Sequence, residues 1–451
     1  MRAAILGSLI LLLSSCSILK VKRNQADDRR IVIVGAGISG LAAAYHLKEN
    51  GFQNVLVLEA QSQIGGRLKT DRTLGLAFDE GASWIHGPKG NPISELAEKA
   101  GVSIFLAEDD NIKVYDIDGS EYDDDVIEAE EAQYEEVLEE LKGDRNRSFG
   151  EVFFEQYPQY QNNRLWTYML SAFLEFDTGG DIFRLSSLDF YDDEEFRGDD
   201  LLITDGYDQI AEYLARGVDI KLNSPVMAID YAGPVALVRT QEAEYEADFV
   251  IVSVPLGVLK RELISFQPAL PKHTLSAINR LEMGTVNKFL LTWDTAFWDT
   301  NLHYIGYTPE DKGQFNLFLN AKAFTNTNAL ITFAYGDYGV QTEEMSNEVV
   351  TDQIMSHLKA IYGNDIPLPK QFLRTRWHQN EYTFGAYSFA TNGTGSMDFK
   401  VFREPVDNKL FFAGEHTTAA YRGTVHGAYL SGVRAARQIM KIGGRYTALT
   451  P

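Results

Sequence analysis

Three glycines near the N-terminus are the first residues whose type and spacing point to chemistry. In the run "IVIVGAGISG", Gly35 allows a tight turn, Gly37 lets a pyrophosphate approach the backbone, and Gly40 lets a helix pack closely on a strand. The phosphate would lie at the N-terminus of that helix. Glu59 ends the next apolar strand, nineteen residues beyond Gly40, where a carboxylate binds ribose hydroxyls and disfavours a 2′-phosphate. The spacing predicts a dinucleotide-binding βαβ unit.

A second phosphate-binding segment, "IGGRLKT", follows the second strand directly. Gly65 and Gly66 would offer bare backbone, and Arg67 a guanidinium, to the other side of the pyrophosphate. FAD and NAD share the glycine fingerprint, so the neighbouring motifs must decide between them. At this point the chain resembles the flavin-containing amine oxidase family, specifically its polyamine oxidase branch.

Further motifs extend the resemblance over almost everything after residue 29. "FDEGASWIHG" is similar to the family segment that passes the flavin ring, and it contains Ala82, Ser83 and Trp84. "NSPVMAI" is similar to the strand whose Val226 backbone faces adenine, and "FFAGEHTTAAYRGTVHGAYLSG" to the closing flavin motif. The resemblance implies FAD as the cofactor.

The closing motif also has a physical reading of its own. Gly414 and Glu415 stand at a strand-to-loop turn, where a carboxylate accepts hydrogen bonds from ribityl hydroxyls. A helix that begins near Thr424 and Val425 would aim its free N–H groups at the flavin N1/O2 edge and stabilise the anionic reduced ring. These residues are therefore predicted to bind the flavin.

The resemblance implies a lysine bound through water to flavin N5, and "MGTVNKFLL" supplies it as Lys288. Alternation along a strand would turn Lys288 to the face opposite Asn287 and Phe289. Desolvation would lower the lysine pKa and suit it to proton transfer and oxygen activation. From the residues alone, an ordinary solvated strand lysine is the competing interpretation.

Tyr387 in "AYSFATNG" matches one wall of the family's aromatic cage, against which an amine can lie. The other wall falls at Thr424, where monoamine oxidases carry tyrosine, and this opening favours a longer or bulkier amine. Monoamine oxidases attach FAD through a cysteine near this tyrosine. The stretch here has no thiol, so FAD is predicted to be noncovalent.

Two further residues are candidates for contact with substrate nitrogen atoms. His86 in "WIHG" occupies a position that meets a substrate nitrogen in animal and yeast polyamine oxidases, and Glu175 in "AFLEFD" resembles a family carboxylate with a similar task. A buried structural partner is the alternative for both. Trp84 and Trp377 are expected to pack beside the flavin.

The resemblance implies an oxidation with O2 as the electron acceptor. A neutral amine gives hydride to flavin N5, the imine is hydrolysed to an aldehyde and a smaller amine, and O2 is reduced to hydrogen peroxide. A polyamine is the preferred substrate. The alternatives are an L-amino-acid or monoamine oxidase on the same fold, or a flavin-binding surface protein without turnover. A histone-type lysine demethylase is disfavoured by the export signal and by the lack of a long inserted helical arm.

The charge of the chain limits its partners. With 64 acids against 41 bases the formal net charge is −23, so nucleic acid would be repelled and a cationic small molecule attracted. The competing interpretation is that the charge only keeps the protein soluble. The densest stretch, "EYDDDVIEAEEAQYEEVLEE", has eleven acids in twenty residues. This stretch predicts a solvated surface helix. The alternative is that its negative charge steers a polycation toward the protein. No metal site is predicted.

The elements that must position these residues indicate an α/β fold. We predict a doubly wound FAD-binding domain of the glutathione-reductase type of Rossmann fold, interleaved with an α+β substrate domain. The predicted FAD-binding domain comprises residues 29–106, 201–290 and 375–445. The predicted substrate domain comprises residues 107–200 and 291–374.

The only cysteine of the chain, Cys16, follows a short apolar stretch. Residues 1–16 have the build of an export signal, and the order Leu13-Ser14-Ser15-Cys16 resembles a bacterial lipoprotein cleavage box. Residues 17–28 would then be a tether, and the protein a membrane-anchored lipoprotein or a periplasmic protein, with secretion as the second choice. An ordinary signal peptide or an incidental cysteine is the competing interpretation.

Overall fold

A computed structural model describes residues 27–191 and 194–442 of the 451-residue chain. The predicted signal segment with Cys16, and most of the predicted tether, lie outside the described residues. Every helix in the described ranges is too short or too polar to pass through a lipid bilayer.

The secondary structure alternates short strands with helices along the described residues. The strands, in chain order, are β1 Ile31–Val34, β2 Val55–Leu58, β3 Thr70–Asp71, β4 Phe78–Asp79, β5 Trp84–Ile85, β6 Ile104–Leu106, β7 Ile112–Tyr115, β8 Leu201–Ile203, β9 Asp219–Lys221, β10 Val226–Asp230, β11 Ala236–Thr240, β12 Glu244–Ala247, β13 Phe249–Val252, β14 Ser265–Gln267, β15 Glu282–Met283, β16 Val286–Thr292, β17 Tyr304–Tyr307, β18 Gln314–Asn320, β19 Ala329–Tyr335, β20 Gln371–Arg374, β21 Ser388–Phe389 and β22 Leu410–Phe412.

The helices connect and cover these strands. The α-helices are α1 Ile38–Glu49, α2 Pro92–Ala100, α3 Asp124–Glu140, α4 Phe149–Gln156, α5 Arg164–Met169, α6 Phe176–Thr178, α7 Asp208–Ala215, α8 Leu256–Lys260, α9 Lys272–Arg280, α10 Gly336–Glu344, α11 Asn347–Tyr362, α12 Ser396–Lys400 and α13 Val425–Ile442. A π-helical turn, Leu170–Glu175, joins α5 to α6. Short 3₁₀ turns occur at Pro158–Tyr160, Ala321–Ala323, Val401–Arg403 and Glu415–Thr417.

A five-stranded parallel sheet in the order β22-β13-β1-β2-β9 forms the centre of the nucleotide-binding part. Its inner strands are buried on both faces, which explains their uninterrupted runs of Val, Ile and Leu. The side chains of one face pack against α1, α7 and α13. The other face packs against α8, α9 and the small β12-β11-β10-β14 sheet.

Close helix packing next to the glycine turn depends on small residues. A Cβ on Gly432 of α13 would lie 2.0 Å from the Ser39 carbonyl oxygen of α1. A Cβ on Gly40 would lie 2.1 Å from the Gly35 carbonyl oxygen. Because backbone atoms cannot yield to such overlaps, both positions require glycine.

The second part of the fold is built on a six-stranded sheet in the order β20-β16-β19-β18-β17-β7. Its pairs are antiparallel except β17 with β7. One face carries the aromatic core that α4 and α5 complete, and the other face packs on α11.

The predicted α/β fold with a parallel nucleotide-binding sheet and an α+β second unit is confirmed. Strand β16 begins at Val286, so the six-stranded sheet starts slightly before the domain boundary that we placed after residue 290.

Candidate active site

A cavity of about 1310 Å³ lies where the two large sheets meet. Val34, Leu58 and Ser253, at or just beyond the carboxyl ends of the parallel strands, line it from one side. Val286 and Leu317 of the six-stranded sheet line it from the other. Ligands of open parallel sheets bind outside the carboxyl ends of the strands, so the cavity is the candidate active site.

The glycine turn forms one end of the cavity. A Cβ on Gly37 would meet no heavy atom within 4 Å, so the backbone there is bare and open to a ligand. Gly37 and Gly65 also form an isolated parallel bridge, which brings both glycine segments to one place. Gly40 does not line the cavity, and its small size allows the helix to pack closely on the strand.

Glu59 is held at this end by two backbone donors. Its carboxylate accepts hydrogen bonds from Ala36 N at 2.6 Å and from Gln61 N at 2.8 Å. Burial raises the pKa of Glu59 despite these bonds. A fixed, buried carboxylate at the edge of the cavity is what ribose hydroxyls require as an acceptor.

Arg67 and Glu415 form an ion pair in the middle of the cavity. Arg67 Nη1 lies 2.8 Å from Glu415 Oε1 and 2.8 Å from the Ala386 carbonyl oxygen. Glu415 Oε2 accepts hydrogen bonds from Ser388 Oγ at 2.5 Å and Gly423 N at 3.2 Å. Burial acts to raise the pKa of Glu415, but Arg67 and the other partners outweigh it and lower the pKa.

The last helix begins at the cavity wall. The hydroxyl of Thr424 accepts a hydrogen bond from Gly427 N at 2.9 Å and so caps α13. Thr424 and Val425 both line the cavity. The positive end of the α13 dipole therefore faces the space that a bound flavin would occupy.

Most of the residues predicted to bind the cofactor line this one cavity. They are Gly35, Gly37, Glu59, Gly66, Arg67, Ala82, Ser83, Trp84, Val226, Trp377, Glu415, Thr424 and Val425. Gly40 and Gly414 do not line it. Gly414 has a φ of 135°, and a Cβ there would lie 2.7 Å from the His416 ring, so its contribution is the turn that places Glu415.

Lys288 is buried at the centre of the site. Its Nζ donates hydrogen bonds to Asp79 O at 3.0 Å, Gly81 O at 2.5 Å and Ser83 Oγ at 2.5 Å. It also lies 5.3 Å from the centre of the Trp84 ring. Burial lowers the pKa of Lys288 to about 8, although the nearby Asp79 acts to raise it.

Asn287, the neighbour of Lys288 on β16, points the other way and organises the tryptophan behind the site. Its Oδ1 accepts hydrogen bonds from Trp377 N at 3.0 Å and Thr375 Oγ1 at 3.1 Å. The Trp377 indole then donates to Glu80 O at 3.1 Å. The alternation of β16 thus turns Lys288 toward the cavity and Asn287 away from it.

Tyr387 forms an aromatic wall of the cavity. Its hydroxyl donates a hydrogen bond to the Phe176 carbonyl oxygen. A Cβ on Gly179 would lie 2.8 Å from Cε2 of the Tyr387 ring, so this ring rests directly on the Gly179 backbone. Burial, followed by the charge of Asp177, raises the pKa of Tyr387 far above its usual range.

His86 lines the cavity, and its Nδ1 lies 2.5 Å from Asp200 Oδ2. Asp200 also accepts a hydrogen bond from Gly87 N at 3.0 Å. Burial acts to lower the pKa of His86, but the bond to Asp200 and the charges of Asp200, Asp177 and Asp109 outweigh it and raise the pKa. Because Nδ1 is engaged, Nε2 is the ring nitrogen available to a bound molecule.

The structure does not bring Glu175 to the cavity. Its side chain is fully buried and pairs with Lys312 Nζ at 2.6 Å. It also accepts a hydrogen bond from Ile182 N at 3.0 Å. Asp177, two residues further along, lines the cavity instead, so the geometry favours the structural-partner alternative for Glu175 and places another carboxylate near Tyr387.

Sequence reasoning missed most of the acidic residues of the cavity. Among the described residues that line it, twelve are Asp or Glu and three are Lys or Arg. Eight of the acids come from one stretch of the chain: Asp109, Asp110, Glu131, Glu135, Asp177, Glu194, Glu195 and Asp200. The high acid content of residues 107–142 was the available signal, and α3 indeed contributes Glu131 and Glu135 to the cavity.

The fold and this cavity define a dinucleotide-binding oxidoreductase. A family model described as flavin containing amine oxidoreductase matches residues 38–440, and the chain belongs to this family. It is 30% identical over 449 residues to probable polyamine oxidase 4 of Arabidopsis thaliana, covering 93% of this chain and 88% of that protein.

Other similar proteins are named as polyamine oxidases or as histone demethylases. The chain is 32% identical to polyamine oxidase 4 of Oryza sativa subsp. japonica, covering 93% of this chain and 90% of that protein. It is also 30% identical to lysine-specific histone demethylase 2 of Homo sapiens, covering 91% of this chain but only 53% of that protein. A solved structure of a putrescine oxidase double mutant has the same fold, with a TM-score of 0.74, 21% identity and coverage of 92% and 100% of the two chains.

The cofactor of this family is a flavin, and the residues of this chain fit FAD. The open backbone at Gly37 and the guanidinium of Arg67 suit a pyrophosphate. Glu59 is placed for a ribose, and the start of α13 suits the electron-rich edge of the flavin. Among the described residues, no group of His, Cys, Asp and Glu has the arrangement of a metal site.

Replacing Lys288 with methionine tests the role of the buried amine. We expect Lys288→Met to slow flavin reduction or reoxidation by at least tenfold, because general acid–base groups typically contribute a factor of about 10² or more. With a pKa of about 8, Lys288 is protonated below pH 8 and neutral above it. A step that uses the neutral amine should therefore accelerate as pH rises through 8 in the wild type and lose this dependence in the variant.

Stopped-flow absorbance of the flavin between pH 6.5 and 9.5 measures both effects. Lys322→Met is the matched control, because the Lys322 ammonium donates to a nearby loop carbonyl, Asn326 O, and Lys322 does not line the cavity. Equal rates in Lys288→Met and the wild type would remove Lys288 from the reaction.

Proposed function

We propose that this protein oxidises polyamines with bound FAD and O2. The observation that carries the proposal is the charge of the cavity, where acids outnumber Lys and Arg by twelve to three among the described lining residues. A polyamine carries several ammonium groups at neutral pH, and a cleft lined by one sign of charge concentrates ligands of the other sign.

Aromatic residues and carboxylates both line the cavity. Trp84 lies beside Lys288, and Tyr387 lies near Asp177. Asp109 and Asp200 stand near His86. A polyamine would place its reacting nitrogen against the aromatic walls and its remaining ammonium groups among the carboxylates. Burial of the reacting nitrogen favours loss of its proton, since burial disfavours a charge.

Bound FAD supplies a hydride acceptor for the carbon next to the amine nitrogen and returns the electrons to O2. The chain supplies the rest. Tyr387 offers a ring face to the amine, and Lys288 in its neutral form can take or relay a proton. His86, held by Asp200, presents Nε2 to a substrate nitrogen. Hydrolysis of the resulting imine yields an aldehyde and a smaller amine.

An L-amino-acid oxidase is a weaker candidate because it needs a cationic partner for the substrate carboxylate. Arg422 lines the cavity, but its guanidinium donates to the carbonyl oxygens of Asp189 and Phe190 at 2.9 and 3.1 Å. Intact Lys288 and Tyr387 argue against a flavin binder without turnover.

Anaerobic mixing of the purified FAD-loaded protein with a set of amines is the first test. We expect spermine or spermidine to bleach the flavin absorbance faster than N-acetylated polyamines, putrescine, tyramine or L-amino acids. Bleaching by L-amino acids alone would replace the proposal with an amino-acid oxidase. No bleaching by any compound would favour the binder without turnover.

A single charge removal tests the electrostatic argument. We expect Asp177→Asn to raise the KM for spermine about tenfold, which corresponds to about 1.4 kcal/mol, because Asp177 lines the cavity beside Tyr387. The KM for tyramine, with one ammonium group, should rise less. Steady-state peroxide production measures both. Asp219→Asn removes the same charge from an exposed strand residue outside the cavity, and an equal effect there would show that only net charge matters.

We also propose that Cys16 carries a lipid anchor on an exported protein, supported by the apolar stretch and the Leu13-Ser14-Ser15-Cys16 order. In a bacterial host, we expect the wild type to enter the detergent phase of a Triton X-114 partition and Cys16→Ser to stay in the aqueous phase. Equal partitioning of the two would reject the anchor.

A further inference from the structure

Lys312 bridges two buried carboxylates that flank one wall of the cavity. Its Nζ lies 2.6 Å from Glu175 Oε1 and also pairs with Asp181 Oδ2. Glu175 is fully buried and the Asp181 side chain is 7% exposed. One ammonium group thus ties together the two ends of the segment 176–180.

The segment 176–180 is the part of the substrate side that touches Tyr387. The Phe176 carbonyl accepts the hydrogen bond of the Tyr387 hydroxyl, and the Gly179 backbone lies against the Tyr387 ring. Gly180 packs equally closely on Phe389, two residues after Tyr387. A Cβ on Gly180 would lie 2.7 Å from Phe389 Cδ2. Phe176, Asp177 and Thr178 also line the cavity.

The backbone before this segment is irregular. Leu170–Glu175 is a π-helical turn, a rare geometry that occurs frequently at functional sites. Glu175 Oε2 has no hydrogen-bond partner. Its other oxygen, Oε1, accepts hydrogen bonds from both Lys312 Nζ and Ile182 N.

Stability alone is a poor explanation for this cluster. Buried ion pairs contribute little compared with apolar residues of the same volume, because desolvation offsets the attraction. Burial raises the pKa of Glu175, and the charge of Lys312 acts to lower it. What the cluster does supply is a fixed distance between residues 175 and 181.

We propose that Lys312 is a positioning residue for amine oxidation. By bridging Glu175 and Asp181 it holds segment 176–180 in the one arrangement that orients Tyr387 toward the bound amine. The inference rests on the proposed amine oxidation for its kinetic test, whereas its spectroscopic test does not depend on turnover.

The central variant is Lys312→Met in the full-length, FAD-loaded protein. We expect flavin reduction by spermine to slow at least tenfold, FAD content to stay unchanged and the visible circular dichroism of the bound flavin to change. Lys312→Arg keeps the bridge and should restore most of the rate. Lys370→Met is the control, because Lys370 forms only an exposed pair with Asp294.

Two more variants keep the test decisive. If Lys312→Met fails to fold because it leaves two buried carboxylates unpaired, the triple variant E175Q/D181N/K312M removes all three charges and is measured in its place. In a Tyr387→Phe background, which lacks the hydroxyl, the further loss on changing Lys312 should fall below threefold, because the two residues act in one chain of contacts.

The outcomes separate this inference from the proposed function. Wild-type flavin reduction in a folded, FAD-loaded Lys312→Met variant would overturn it, and so would a tenfold loss that persists in the Tyr387→Phe background. If no amine reduces the flavin of the wild-type protein, the proposed function fails. The positioning role of Lys312 is then judged by the visible circular dichroism of the bound flavin alone. A changed flavin spectrum would then support the positioning role, and an unchanged one would overturn it.

Discussion

The buried ammonium group of Lys288 is the interaction on which the rest of the site depends. It comes from β16 of the six-stranded sheet and donates to Asp79 O, Gly81 O and Ser83 Oγ, which belong to the segment that approaches the cofactor space. One side chain thus joins the substrate part of the fold to the nucleotide-binding part. Each of its donors is used, so the position of the amine is fixed to within hydrogen-bond geometry. The same burial also lowers the pKa of Lys288 to about 8. The amine that joins the two parts of the fold can therefore also carry a proton.

The second constraint is the separation of charge along the cavity. Carboxylates collect on the substrate side, with Asp109, Asp177 and Asp200 close enough to act on the pKa of His86. Trp84 lies beside Lys288, and the ion pair of Arg67 with Glu415 in the same cavity is internally neutral. A cation is therefore attracted by the carboxylates, and the neutral form of Lys288 can take a proton from it. This division explains how one cavity can favour polycations and still present a neutral nitrogen for oxidation.

The sequence predicted the nucleotide side of this arrangement much better than the substrate side. Gly35, Gly37, Glu59 and Arg67 act through local turns and strand ends, so spacing alone places them. Glu175, in contrast, was predicted to contact the substrate and does not line the cavity. The π-helical turn that ends at Glu175 shifts the phase of the helix, and a 3.6-residue period cannot reveal that shift. In the structure Glu175 lies in the core, and Asp177 lines the cavity. The acids at 194, 195 and 200 come from loops and a strand end that only the tertiary fold brings to the cavity.

The hydrogen bonds behind Tyr387 and those of Lys288 meet the same requirement, which is a fixed position for a side chain that lines the cavity. An aromatic wall orients an amine only if the ring itself cannot tilt. Here the Tyr387 hydroxyl is bonded to Phe176 O and its ring rests on Gly179, both in the segment whose ends Lys312 joins. Lys288 and Lys312 therefore each hold a different segment that lines the cavity. Lys288 does so from the cofactor side, where its charge can be given up, and Lys312 from the substrate side, where two carboxylates keep it protonated by raising its pKa against burial. The difference in their partners explains why one lysine suits proton transfer and the other suits support.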